Sequence, residues 1–237
     1  MKNLSLLLFF CTVSAFAQYN NGEELLKAMH KKYYGNYCQT VTFDQKTFRY
    51  DTNGVVKDTS YWYEWISYPD KFRIDFGKKF GGNCVIFKND SVFNYRNNKL
   101  VKRGKDENDL LLLLGGMYYR PFEDIVARIE RQGYNLDNLT LIDANGKMSY
   151  VIGSSVSGSE NKYQIWVDKT TLRVEKIKTR LNENDWLEIR FDDFKKTCKG
   201  FTETKVTATK NDKLEQKEEY INLKTSVIIP DSIFNKK

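Results

Sequence analysis

Along most of the chain, apolar and polar residues trade places at every second position, in short runs separated by turn signals. The runs fall at 39–51, 55–68, 71–77, 83–88 and 91–95, and resume at 139–143, 148–153, 163–168, 172–181, 186–194, 201–210 and 215–224. Thr52-Asn53-Gly54, Pro69, Gly81-Gly82, Asn89-Asp90 and Asn145-Gly146 punctuate them. A period of two with short turns predicts antiparallel strands, about eleven of them, in a meander. The alternation is cleanest where Phe72, Ile74 and Phe76 interleave with Lys71, Arg73 and Asp75. That pattern puts the first set in an apolar interior and the second in water, so Arg73 reads as a surface residue.

Three stretches keep a different period. Asn21 followed by Glu23 and Glu24 is a helix cap, opening a helix over 21–34 whose Leu25, Met29 and Tyr33 share a face. Asp106-Glu107-Asn108-Asp109 leads into the leucines at 110–114 and stops at Gly115-Gly116, a short and intensely apolar helix. From Pro121 to Gln132, Phe122, Ile125, Val126 and Ile129 fall at i, i+3, i+4 and i+7. Leucines that would each contribute roughly 1.5–3 kcal/mol on burial do not stay wet. The sheet must therefore curl around the helices, giving a mainly β, α+β fold. Where the helices leave the concavity unfilled, an apolar cleft remains for a hydrophobic ligand.

The first seventeen residues read as an address. Lys2 supplies a positive start, 4–13 an apolar stretch and Ala15-Phe16-Ala17 a small-x-small cleavage site. Residues 1–17 are thus expected to be a signal peptide and 18–237 a single domain, exported to the periplasm. Beyond the leader the longest apolar run is 110–114, far short of the roughly 18–20 residues of a spanning helix. In an oxidising compartment Cys38, Cys84 and Cys198 allow three pairings, and spacing does not choose among them.

Composition narrows the chemistry. The chain of 237 residues has 41% apolar residues, 14% aromatics and three prolines, which excludes disorder. Its net charge of +7 is spread among acids of opposite sign and forms no basic stripe, which argues against nucleic acid. A single histidine, His30, excludes histidine-rich zinc sites and H-E-x-x-H chemistry. No metal, cofactor or catalytic residue is expected, and His30 is read as an ordinary surface or half-buried residue.

In order, the motifs resemble a known family. An N-terminal helix precedes Val41-Thr42-Phe43-Asp44-Gln45-Lys46. Trp65-Ile66-Ser67-Tyr68-Pro69-Asp70-Lys71-Phe72-Arg73, Asn89-Asp90-Ser91-Val92-Phe93-Asn94-Tyr95 and the helix opening at Pro121-Phe122 follow. Tyr163-Gln164-Ile165-Trp166-Val167-Asp168 and the ending Ile229-Pro230-Asp231-Ser232-Ile233-Phe234 complete the set. This order is similar to that of the periplasmic outer-membrane lipoprotein carriers (LolA-like, sharing a fold with the receptor LolB).

The resemblance implies a half-open, roughly eleven-stranded antiparallel barrel with a helical lid inserted mid-chain. It also implies a non-enzymatic carrier, expected as a monomer, that shelters the acyl chains of a lipoprotein or related lipid. Such a carrier works between an inner-membrane ABC transporter and an outer-membrane acceptor. The cavity candidates it carries over are Phe43, Trp65, Phe72, Ile74, Ile86 and Phe93 from strands, and Leu111, Leu112, Ile125 and Ile129 from helices. Carriers of this family place an arginine before the strand proline to hold the lid. Here Tyr68 stands there, and its hydroxyl is the candidate lid contact.

Two other classes compete. An envelope structural or assembly module of the same fold would keep no open cavity, its mouth plugged by Tyr118, Tyr119 and the leucine helix. A secreted hydrolase would need paired carboxylates such as Asp192 and Asp193 or Glu218 and Glu219, but neighbours on a strand point to opposite faces. An outer-membrane barrel is excluded by the charges at Lys176, Lys178, Glu188, Arg190 and 215–219.

Overall fold

The computed structural model describes residues 19–144, 146–153 and 163–235; the expected signal peptide lies outside them. Helix α1 (Gly22–Tyr33) starts where the sequence places its cap: the Asn21 side chain accepts a hydrogen bond from the Glu24 backbone N–H at 2.9 Å. Its Leu25, Leu26, Met29 and Tyr33 are buried. Six strands follow: β1 (Thr40–Tyr50), β2 (Val56–Ser67), β3 (Lys71–Phe76), β4 (Cys84–Lys88), β5 (Ser91–Arg96) and β6 (Lys99–Lys105). The middle of the chain holds α2 (Asp109–Leu113), a 3-10 turn (Gly116–Tyr119) and α3 (Phe122–Arg131).

Strands then resume as β7 (Leu139–Ala144), β8 (Lys147–Ile152), β9 (Gln164–Asp168), β10 (Val174–Arg180) and β11 (Trp186–Asp192). A small hairpin, β12 (Lys195–Thr197) with β13 (Gly200–Thr202), precedes β14 (Lys205–Lys210) and β15 (Lys213–Thr225). Thirteen strands form one antiparallel sheet in the order β6-β5-β4-β3-β2-β1-β15-β14-β11-β10-β9-β8-β7, and β12–β13 stands apart. The expectation of about eleven strands missed β6 and β12 and ran β13 and β14 together as one strand over 201–210. Strand β6 reads Lys-Leu-Val-Lys-Arg-Gly-Lys and is exposed along nearly its whole length, so an edge position leaves no alternation to see.

The sheet is not closed by strand pairing. Its edges, β6 and β7, are consecutive along the chain, and the helical segment 106–138 runs between them. Following the register across the strands separates two faces. Ile152, Ile165, Ile177, Ile189 and Ala208 are successive neighbours on the inner face, the one against which the helices pack. There Leu112, Leu113, Met117, Ile125 and Ile129 join Leu25, Leu26 and Met29 in a core exposed by no more than 3% at any of these positions.

The outer face of β2–β4 is covered as well, and this corrects the reading of Arg73. After β15 the chain turns back and lays Ile229, Ile233 and Phe234 over Trp65, Cys84 and Ile86. Arg73 lies under this tail, 5% exposed, with Nε 2.9 Å from Asp75 Oδ1 and Nη1 2.8 Å from the Ile233 carbonyl. Phe72 and Ile74, on the inner face, are only half-buried. Alternation distinguishes two faces of a strand; it does not say which one a distant tail will cover.

Candidate ligand hollow

The inner face has two unlike halves. Over β8–β11 the helices pack closely, leaving only about 10 Å³ against Tyr33, Tyr37 and Leu113, although a cavity of about 640 Å³ opens at the margin between Tyr19 and Lys32 on one side and Met148, Tyr150 and Leu172 on the other. Where α2 and α3 meet Pro69 and Phe87 the gap is again about 10 Å³. Over β1–β5 register aligns Val41, Ile66, Phe72, Phe87 and Val92 in one row and Phe43, Glu64, Ile74, Val85 and Asn94 in the next. Phe72 stacks on Phe87 with ring centroids 5.7 Å apart, and Phe43 on Tyr220 at 4.0 Å. Ile66, Phe72, Ile74, Val85, Phe87 and Val92 all remain half-buried. This is an apolar wall left without a full cover.

The expected cavity set divides accordingly. Phe43, Phe72 and Ile74 lie on this wall, and Leu111 of α2 packs with Val41, Phe43 and Tyr68 at its upper end. Leu112, Ile125 and Ile129 are spent in the sealed core, at 3%, 0% and 0% exposure. Trp65, Ile86 and Phe93 belong to the opposite face: register links Trp65 to Arg73, Arg73 to Ile86 and Ile86 to Phe93, beneath the C-terminal tail. Sequence reading missed Ile66, Val85, Phe87 and Val92. Their signal was the pairing of β2–β5 with the Phe72 face, which appears only once the turns are placed.

Where the helices meet the wall, hydrogen bonds hold them. The Tyr68 hydroxyl donates to the Leu114 carbonyl at 3.3 Å, and a Cβ on Gly115 would come within 2.3 Å of the Tyr68 ring. The Tyr119 hydroxyl donates to the Tyr37 carbonyl at 2.6 Å. On α3, Arg128 grips Asp90 of the β4–β5 turn with both terminal nitrogens, at 2.7 and 2.8 Å, while its Nε bonds Asp124 at 3.0 Å. That grip holds the Asp90 carboxyl below the usual carboxylate range. His30 Nε2 lies 3.0 Å from the Arg120 carbonyl, and its ring sits between Tyr34 and Phe122. Of the three possible cysteine pairings the structure has Cys38–Cys198, tying the start of β1 to the β12–β13 hairpin, while Cys84 is buried under the tail.

Between the sealed and open halves lies a polar seam. Gln45, Thr47, Glu64, Glu218 and Tyr220 face inward from β1, β2 and β15, and Glu203 joins them from the segment before β14. Burial pushes the Glu203 carboxyl up to about 7 and Glu218 to about 6. Glu64, 5% exposed, is pushed well above its ordinary range by burial and then by the charges of Glu218 and Glu203. Tyr220 and Gln216 donate to Glu218, and no lysine or arginine forms an ion pair with any of the three acids among the described residues. A two-carboxylate hydrolase needs one acid kept protonated and one kept charged. Here all three move the same way for the same cause. Of the pairs raised from sequence, Glu219 and Asp192 are exposed on the outer side, as strand parity requires.

The arrangement is thus an open antiparallel sheet that holds helices against one half of its inner face and leaves the other half apolar and accessible. Solved structures of this architecture are similar over nearly the whole chain. An outer membrane lipoprotein-sorting protein domain from Vibrio parahaemolyticus matches with a TM-score of 0.61 at 12% identity, covering 91% of this chain and 96% of that one. A LolA superfamily protein from Nitrosomonas europaea matches at 0.56 and 13%, covering 91% and 98%. A DUF1329 family protein from Desulfovibrio piger matches at 0.59 and 15%, covering 90% and 95%. The chain has the fold of the LolA superfamily structures. No sequence-family model and no curated protein matches it. No helix among the described residues is long and apolar enough to cross a membrane.

Proposed function

We propose that this protein is a non-enzymatic periplasmic carrier that shelters the acyl chains of a lipoprotein, or a related lipid, against the inner wall of β1–β5. The observation that carries the reading is the half-buried apolar wall of Ile66, Phe72, Ile74, Val85 and Phe87, beside helices tied to the sheet by Tyr68 and Arg128. Each acyl methylene kept from water there contributes roughly 0.8 kcal/mol. An inner-membrane ABC transporter as donor and an outer-membrane acceptor complete the role, with a half-open barrel as working shape.

The test is native mass spectrometry of the folded protein after incubation with a diacylated peptide. The expected result is a bound acyl peptide for the wild type, and its loss in an Ile74→Asp, Val85→Asp variant that keeps its circular dichroism spectrum. A folded wild type that takes up no acyl peptide overturns the reading. A second reading, an envelope-assembly module without lipid transfer, is favoured by the roughly 10 Å³ cavities beside the helices. It predicts that a hydrophobic dye gains no fluorescence with the native protein.

A further inference from the structure

Three hairpin tips share one end of the sheet. The β1–β2, β3–β4 and β5–β6 turns follow strands that run the same way in the antiparallel ladder. They therefore lie together, opposite the end that carries Tyr68 and Asp90. Across 51–58, 77–83 and 96–103 the sequence places seven basic residues against two acidic ones. Both acids are engaged at home: Asp51 accepts from the backbone of Asn53 and Val55, and Asp58 pairs with Arg49. Lys57, Lys78, Arg96, Lys99 and Lys102 are exposed, and none makes an ion pair among the described residues.

Large apolar side chains project among these bases. Val55 is 61% exposed, Phe80 52%, Leu100 51% and Val101 60%. Charge on an edge strand alone guards against strand pairing, and a lone exposed apolar residue is ordinary. Both together on three neighbouring tips match an anionic lipid surface, with bases at the headgroups and apolar tips at the acyl boundary. The neighbouring tips at the same end, 181–185 and 211–212, carry Glu183, Asp185 and Asp212 instead. The basic patch is thus confined to the half of the sheet that bears the open apolar wall.

We propose that this end of β1–β6 docks reversibly on an anionic phospholipid bilayer, an interaction separate from acyl-chain binding in the hollow. Co-sedimentation with phosphatidylglycerol/phosphatidylcholine vesicles tests it. The wild type is expected to pellet with the mixed vesicles at low salt, to be released by 0.5 M NaCl and to ignore pure phosphatidylcholine. Reversal of four bases (K78E, R96E, K99E, K102E) should weaken binding at least ~100-fold, since each base near such a surface contributes several-fold. Reversal of Lys195, Lys196 and Lys199 on the β12–β13 hairpin, at the other end of the molecule, should leave it unchanged. A V55S, V101S variant, with every charge kept, should bind measurably less. Equal loss in the two charge-reversed variants, equal binding to neutral vesicles or no binding by the wild type each overturns the proposal. Acyl-peptide loading of the K78E, R96E, K99E, K102E variant is expected at the wild-type level, so failure of docking is distinguishable from failure of the carrier reading.

Discussion

Raising the pH from 5 to 8 should destabilise this fold, against the common tendency for carboxylates to stabilise a protein once ionised. The cause is the polar seam. An unfolded chain releases a glutamate proton at its ordinary value of 4.5, whereas the folded chain holds the Glu203 proton to about 7 and the Glu218 proton to about 6. Between those limits the native state binds more protons than the unfolded one, so stability is full below pH 4.5 and falls as pH rises through 6 and 7. At 1.36 kcal/mol per unit, Glu203 accounts for about 3 kcal/mol of lost stability by pH 8 and Glu218 for about 2. Glu64, pushed well above its ordinary range by burial, and Asp109, pushed up to about 6 chiefly by burial, act in the same direction. Asp90, Asp185 and Asp231 have lowered values and act in the opposite sense, but below pH 4, outside this window. The measurement is the urea midpoint at pH 5, 6, 7 and 8 at constant ionic strength, for the wild type and for Glu203→Gln. The wild-type midpoint should fall steadily, and Glu203→Gln, which remains neutral, should fall less steeply because it lacks the Glu203 share of about 3 kcal/mol. A midpoint that is flat or rises over this range, or a variant with the wild-type slope, refutes the reasoning.

Gly115→Ala should cost about 1–3 kcal/mol in urea unfolding, because its new methyl group meets the Tyr68 ring at 2.3 Å with little room to yield. Replacing Cys38 and Cys198 by serine frees a loop of 160 residues, and the chain-entropy relation puts the loss at up to about 5 kcal/mol, read as a drop in Tm that reductant reproduces in the wild type. Arg128→Ala removes the two-pronged bond to Asp90 and should cost about 2 kcal/mol, with faster amide exchange in 122–131 than in β8–β11.

How much of this was legible beforehand depended on whether the signal was local. Helix α1 was written in its cap and α3 in its apolar stripe, and both appear within a residue or two of the expected ends. Strand β3 was equally legible, yet its burial was misjudged because the cover over Arg73 comes from residues 229–234, far along the chain. Trp65, Ile86 and Phe93 were assigned to the hollow for the same reason: apolar character reports burial without reporting the face. Tyr68 was named from the family resemblance alone, as the residue before the strand proline, and the structure places its hydroxyl on the Leu114 carbonyl. The seam of Glu64, Glu203 and Glu218 was out of reach, since it exists only when β15 inserts between β1 and β14.

That insertion governs how the chain must assemble. Strand β1 pairs with nothing but β2 and β15, and the β1–β15 ladder joins Val41 to Thr225. Every other ladder in the sheet links segments much nearer in sequence. The chain can therefore build two separate half-sheets, β2–β6 on β1 and β7–β11 with β14, from local turns alone. Their ladders become one sheet only when the last long strand arrives between them, the pairing with the largest closure entropy and the slowest to form. A chain cut before Lys213 would hold two ladders with no strand pairing between β1 and β14, so the polar seam beside the hollow is finished last.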